Sequence, residues 1–217
     1  LFWSLLGDED RAALSRAGVT RSYQQGAFVF FEGDPPSHVL IIESGALKLE
    51  LATQKGRGVL LELRTPGDLV GEFGVFDEQS RSAAATAIEH LTVLQIPTAR
   101  FRELLMERPS ICFAVASAMT TKLRETTRRR LESGTADTLS RVVNRLVELA
   151  ADRRPDGDGV IVIDSSLTQH ELAEWIGASR DAVVLAMTRL RQLGWIETGR
   201  RQVRILDPDA LRRFAAT

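Results

Sequence analysis

Residues 71–86 read Gly-Glu-Phe-Gly-Val-Phe-Asp-Glu-Gln-Ser-Arg-Ser-Ala-Ala-Ala-Thr, and they gather the side chains with most to offer chemically. Gly71 and Gly74 let the backbone approach a ligand closely and turn its N–H groups inward, which makes a concavity for an anion. Arg81 brings a planar guanidinium fork that suits phosphate oxygens, and Ser82 adds a hydroxyl donor. The small side chains of Ala83 to Ala85 leave room beside them. Glu72 is the oddity, because a carboxylate next to a phosphate is repulsive unless it accepts hydrogen bonds. A ribose hydroxyl would supply one, so the stretch reads as a cradle for a sugar phosphate. The same residues also suit a surface loop with an Arg–Glu pair, and the rest of the chain has to decide.

Bulk composition removes several classes of chemistry. The 217 residues are 44% hydrophobic and 26% charged, as in ordinary globular proteins, and suffice for one large domain or two small ones. A formal net charge of −1 means that any basic surface must be local. The single cysteine, Cys112, excludes an intramolecular disulfide and a cysteine-only zinc or iron–sulfur site within one chain. His38, His90 and His170 have no ligand spacing, so no metal is expected. The longest apolar run, Ile111 to Ala116, is far short of a membrane span, and no signal peptide is visible. The expected location is the cytoplasm, without a membrane partner. No nucleophile–base pair or acid–base carboxylate pair is recognisable, so the chain reads as a non-enzyme.

The elements that must position the cradle follow from pattern. Residues 1–17 read as helical, with Asp8 as N-cap. From Thr20 to Pro97 the chain turns to short β-rich runs punctuated by Gly33-Asp34-Pro35-Pro36, Ser44-Gly45, Gly56 to Gly58 and Pro66-Gly67. The candidate strands are Arg21–Gln24, Phe28–Glu32, His38–Glu43, Ala46–Thr53, Val59–Arg64, Asp68–Gly71, Ala84–Glu89 and Thr92–Ile96, which argues for a barrel, roll or sandwich. The cradle lies between two late strands. A short helix, Ala99 to Glu107, precedes Pro109, which opens a helix running to Gly134. Cys112, Ala116, Met119, Leu123, Thr126 and Arg130 recur at alternating four- and three-residue steps, the seam of a coiled coil. A parallel homodimer through residues 110–133 is expected, with Thr126 and Thr127 able to face different subunits. Gly134 and Thr135 read as a hinge, and Asp137 caps a helix through Ala151.

The second informative stretch is Leu167 to Leu193. Thr168 caps a helix with Glu171 in the capping-box position, Gly177 makes a tight turn, and Ser179 caps a second helix. Strands Trp195–Thr198 and Val203–Leu206, joined across Gly199-Arg200-Arg201, form a β wing. Arg189, Arg191, Arg200, Arg201 and Arg204 against Glu197 give the local basic stripe that phosphates require. The expected class is therefore α+β: a β-roll over 1–108, a long dimerisation helix and hinge over 109–134, and a winged helix-turn-helix over 135–217.

A late-roll Gly-Glu…Arg-Ser-Ala cradle, a long helix and a C-terminal winged helix-turn-helix together resemble the CRP/FNR family of bacterial transcription regulators, over essentially the whole chain. Gly71-Glu72-Phe73 followed by Arg81-Ser82-Ala83 is most similar to the cyclic-AMP receptor branch, which implies that the roll over 1–108 is of the cyclic-nucleotide-binding jelly-roll type. The resemblance implies that Glu72 accepts the ribose 2′-hydroxyl, Gly71 presents backbone near the sugar, and Arg81 pairs with the cyclic phosphate, aided by Ser82 and the Ala83 N–H. It implies that Thr126 reaches the adenine edge and that Thr127 reaches across from the other subunit. No cofactor is implied, only the effector cyclic AMP, with cyclic GMP left open because threonine hydroxyls can serve either base. Iron–sulfur members need a cysteine cluster and haem members an axial histidine near the cassette, and neither is present.

In the second helix of the motif, Ser179-Arg180-Asp181-Ala182-Val183 matches the family's Ser-Arg-Glu-Thr-Val, which implies that Arg180 reads a guanine edge. Asp181 is one methylene shorter than the family's glutamate, and Leu185 stands where well-known members carry a base-contacting arginine. An altered inverted repeat in double-stranded DNA is the expected target. Thr168, Gln169, Ser179 and Arg200 are expected phosphate contacts, and RNA polymerase is an implied partner. Two alternatives stand beside the cyclic-AMP reading. One is a regulator that binds DNA without cyclic AMP or senses another small anion; the other is a nucleotide-binding subunit acting on a protein partner.

Overall fold

A computed structural model describes residues 1–52, 58–135, 137–151, 153–164, 169–199 and 202–215. The chain falls into two compact units, Leu1–Thr126 and Thr127–Thr217.

The first unit opens with a 3-10 turn, Trp3–Leu5, and helix α1, Asp8–Ala17. Gly7, not Asp8, is the N-cap; Asp8 is the first helical residue, where its charge still suits the helix dipole. Strands β1 (Val19–Tyr23), β2 (Phe28–Phe30), β3 (His38–Ser44), β4 (Leu47–Ala52), β5 (Gly58–Arg64) and β6 (Leu69–Val70) follow. Next come a one-turn helix α2 (Phe73–Phe76) and strands β7 (Ala84–Ala87) and β8 (Leu91–Pro97). All the expected strands are present with ends shifted by a few residues; α2, inside the cradle, was not expected from the sequence. Helices α3 (Thr98–Glu107) and α4 (Pro109–Thr135) complete the series, α4 running one residue past the predicted stop at Gly134.

Two four-stranded antiparallel sheets form the roll, in the orders β1-β8-β3-β6 and β2-β7-β4-β5. Strand β3 carries an unbroken Val-Leu-Ile-Ile run because both its faces are covered. Successive strand side chains point to opposite faces. Leu40 and Ile42 therefore join Phe30, Leu47, Ala85 and Val93 between the sheets. Val39 and Ile41 join Leu14, Ile96, Phe101, Leu104, Ile111 and Val115 in a second core formed with the helices.

The C-terminal part contains α5 (Thr138–Ala150), β9 (Ile161–Asp164), α6 (Gln169–Ile176), α7 (Arg180–Gln192), β10 (Ile196–Gly199), β11 (Gln202–Ile205) and α8 (Pro208–Ala215). Asp137 caps α5 as expected, its side chain accepting from the Ser140 N–H at 2.7 Å. That bond holds the Asp137 carboxyl below the usual carboxylate range. The wing strands pair as β10-β11-β9, and their inward Ile196, Ile205 and Ile161 share a core with Val142, Leu146, Ile176, Val183 and Leu190. Among the described residues no helix is long and apolar enough to cross a membrane.

Phe101 is wholly buried where α3 meets the roll. Phe101→Ala is expected to cost about 3–5 kcal/mol of stability in urea unfolding. A loss under about 1 kcal/mol would mean that α3 is only loosely seated on the sheet.

Candidate functional site

The short β6 ends at Val70, and Gly71 turns the chain at φ +82, a conformation that favours glycine. Space reinforces the requirement, since a Cβ at Gly71 would overlap Arg81 Nη1. Gly74 is held similarly tightly, because its Cβ would run into Pro36. The cradle therefore uses both glycines, one for its turn and one for close approach.

Arg81 is 6% exposed. Its Nη1 donates to Gly71 O at 3.1 Å, its Nη2 donates to His38 O, and its guanidinium lies 4.4 Å over the Phe30 ring. The backbone on either side is pinned by Arg81 N–H to Asp34 O and by Gly33 N–H to Arg81 O, each at 2.9 Å. Among the described residues its side-chain hydrogen bonds go only to backbone carbonyls, and Nε is buried without a partner. A buried donor without a partner is costly, so it is a natural place for a ligand oxygen. Burial lowers the Arg81 pKa from its ordinary value, and burial together with Arg81 lowers that of His38, which favours neutral imidazole there.

A cavity of about 60 Å3 that opens to solvent is lined by Gly71, Glu72, Phe73, Arg81, Ser82 and Ala83, all six expected cassette residues. Phe30, Leu49, Arg64 and Val70 also line it and were not singled out from the sequence. Phe73 is half exposed at the rim and Ser82 is exposed, whereas Ala83 is buried. Thr126 is exposed on α4 and does not line this cavity, and Thr127 is also exposed.

Glu72 is 7% exposed, and among the described residues its ion-pair partner is Arg64, whose Nη2 is 3.8 Å from Oε1. Burial raises the Glu72 pKa; Arg64 opposes the rise, while Glu62 and Asp68 add to it. Arg64 is reached only through strand register. It pairs across with Leu47, and Glu62 with Leu49, so both charged residues share a face with core residues. A sequence pattern offers no sign of this, because Glu and Arg two residues apart on a strand ordinarily mark a solvent face.

The second site lies on α7. Helix α6 ends in a Schellman motif, with Ala178 N–H bonded to Ala173 O and Gly177 N–H to Glu174 O, each at 3.0 Å, and Gly177 at φ +70. Arg141 from α5 steadies the turn by donating to Gly177 O at 2.6 Å. Ser179 then caps α7, accepting from the Ala182 N–H at 3.3 Å. Arg180, Asp181 and Leu185 are exposed on α7, Leu185 by 72%, while Val183, Ala186 and Leu190 are buried beneath. Gln169 begins α6; Thr168 and Arg200 lie outside the described residues. On the wing, Arg204 pairs with Glu197 at 2.7 Å, so part of the basic stripe is neutralised internally.

With both sites in place, comparison with known proteins fixes the class. Residues 20–108 match the family model of the cyclic nucleotide-binding domain, and residues 140–214 that of the Crp-like helix-turn-helix domain. The chain belongs to the CRP/FNR family of DNA-binding transcription regulators. It is 30% identical over 204 residues to a CRP-like cAMP-activated global transcriptional regulator of Mycobacterium tuberculosis, covering 94% of this chain and 91% of that one. It is 30% identical over 189 residues to the transcriptional activator protein anr of Pseudomonas aeruginosa, covering 86% and 76%. A CRP/FNR-family transcriptional regulator of Thermus thermophilus has a solved structure that superposes with a TM-score of 0.74 at 25% identity, covering 92% and 99%.

The raised pKa of Glu72 sets the sign of a stability effect. A folded-state pKa above the unfolded one favours folding at pH below the ordinary carboxylate value, and this contribution is lost as pH rises through the folded value. At neutral pH the ionised side chain is a cost. Glu72→Gln is therefore expected to raise the thermal midpoint of the free protein at pH 7 while having little effect near pH 4. A lower midpoint at pH 7 would show that the pair with Arg64 outweighs the burial cost.

Proposed function

We propose that the chain is a homodimeric transcription regulator whose DNA binding is controlled by cyclic AMP held in the Glu72–Arg81 cavity. The observation that carries this reading is Arg81: a buried guanidinium, anchored on two carbonyls, with Nε free beside the cavity. Its charge suits a single negative charge, that of a cyclic phosphodiester, better than the double charge of a terminal phosphate. Glu72 then accepts the sugar hydroxyl, Ser82 and the Ala83 N–H add donors, and Phe73 covers the rim. Thr126, and Thr127 from the partner, take the base edge. Parallel pairing through residues 110–133 is supported by the two-sided character of α4. Ile111, Ala114 and Val115 are buried on one side, and Cys112, Ala116 and Leu123 are exposed on the other.

Control requires that the ligand bind the DNA-competent state better than the other. On the DNA side Arg180 reads a guanine edge, Leu185 contacts a thymine methyl, and Asp181 sits beside them. Ser179, Gln169, Thr168 and Arg200 contact phosphates of an inverted repeat in double-stranded DNA. RNA polymerase is the further partner, the protein acts in the cytoplasm, and it carries no catalytic step. The division into a roll over 1–108, a dimer helix and hinge over 109–134 and a DNA-binding domain over 135–217 belongs to the same proposal.

Calorimetric titration tests the effector. Cyclic AMP is expected to bind at micromolar or tighter affinity, 5′-AMP more weakly, and Arg81→Ala to lose about a hundredfold or more. Titration with cyclic GMP alongside determines the base preference, and absence of binding by either cyclic nucleotide would sink the sensor reading. For DNA, Arg180→Ala is expected to cost about 1–3 kcal/mol at the specific site. Non-specific affinity should hardly change, and an equal loss on both kinds of DNA would assign Arg180 to phosphate instead.

A further inference from the structure

The Glu62–Arg64 pair on β5 is hard to explain as ordinary surface charge. Arg64 is 7% exposed, faces the roll interior beside Leu47, and has a buried Nε without a partner among the described residues. Its Nη2 lies 3.1 Å from Glu62 Oε2 and 3.8 Å from Glu72 Oε1. Glu62 in turn meets α4: its Oε1 is 2.9 Å from Lys122 Nζ. Lys122 also reaches Asp68 Oδ2 at 3.7 Å, and Asp68 shapes the turn into β6 by accepting from the Thr65 N–H at 3.1 Å. Glu125, one turn further along α4, lies 3.9 Å from Lys122 as well. A continuous chain of opposite charges thus runs from the cavity floor to the long helix, all of it inside the first unit.

We propose that Arg64, held by Glu62 and through it by Lys122, is a positioning residue for the Glu72 carboxylate, so that the long helix sets how tightly the cavity holds a ligand hydroxyl. This rests on the proposed sugar-phosphate reading of the cavity. The physical step is charge compensation. A buried carboxylate stays ionised only if a cation is near, and a hydroxyl donates more strongly to an ionised acceptor. The charges facing Glu72 are Arg64 and Glu62 from β5, Asp68 from the turn before β6, and Arg81 from beyond α2. Two of these, Glu62 and Asp68, are carboxylates that work against ionised Glu72 until Lys122 neutralises them. Arg64 supplies the direct cation and Lys122 quiets the competing acids. Neither needs to touch the ligand.

The test pairs two readouts in the full chain. Cyclic-AMP affinity is measured across pH for wild type, Arg64→Met, Arg64→Lys, Lys122→Met and the Arg64→Met/Lys122→Met double variant. In the free proteins the Glu72 carboxyl is titrated by carbon-13 NMR, with Glu72→Gln identifying the resonance. Arg64→Met and Lys122→Met are each expected to move the Glu72 midpoint upward and to weaken binding at neutral pH by about tenfold, with affinity recovering as pH rises. Arg64→Lys keeps the charge and should return most of the profile. The double variant should depart from additivity by about threefold or more. A role in packing alone would lower affinity equally at every pH and leave the Glu72 midpoint in place, and that result would overturn the proposal. If wild type binds no cyclic nucleotide while the Glu72 midpoint shifts as described, the sensor reading fails and the link from α4 to Glu72 stands.

Discussion

The N-terminal unit depends on one interaction, the burial of the Arg81 guanidinium against two carbonyl oxygens. Taking a cation out of water is expensive, and carbonyl acceptors with an aromatic face offset only part of the cost. What the arrangement gains is connectivity. Arg81 ties β3 through His38 O, the turn after β6 through Gly71 O, β2 through the Phe30 ring, and the loop at Asp34 through its own backbone. Four separate pieces of chain are thereby fixed around one donor left without a partner. Gly71 is the condition for it, because any side chain there would occupy the place of the guanidinium. The proposed anion site and the packing of the roll are for this reason the same object.

Glu72 carries the same tension in the opposite sign. Burial pushes its pKa up, and the free protein answers with an ion pair at 3.8 Å, too long for a hydrogen bond. The acceptor is thus only partly satisfied, which leaves it ready for a hydroxyl. A site proposed to exchange solvent for ligand would thus sit where local stability is poor.

Legibility in the sequence followed the physics of each part. The strands and turns of the roll were readable because alternation and glycine are local signals, and so were the caps at Asp137 and Ser179. The six expected cassette residues do line one cavity, but their types and spacing suit a surface loop as well, and only the roll and the motifs around them favoured the cradle. The one-turn helix Phe73–Phe76 was not readable, since a glycine at its second position argues against helix and tertiary contacts decided it. Asp8 failed as an N-cap because the helix starts one residue earlier, with Gly7 extended in the cap position and Asp8 already helical. Arg64 was invisible for a deeper reason. Whether Glu62 and Arg64 face water or the interior depends on pairing with Leu49 and Leu47, and cross-strand register is a long-range fact that no local pattern contains.

The two recognition surfaces also differ in how freely they can change. On α7 the residues proposed to read DNA are exposed, and the helix is held by Val183, Ala186 and Leu190 on its other side. Substitution at Arg180, Asp181 or Leu185 alters contacts without touching the core, so its cost to folding is small. In the cavity, Glu72, Arg64 and Arg81 are each more than nine-tenths buried, and Glu72 interacts electrostatically with both cations, so a change at one is felt by the others. Departures from the pattern that the resemblance supplies fall accordingly: three on α7, at Asp181, Ala182 and Leu185, and none at Gly71, Glu72, Arg81 or Ser82. A surface can be retuned one residue at a time, whereas a buried charge network has to be altered as a unit.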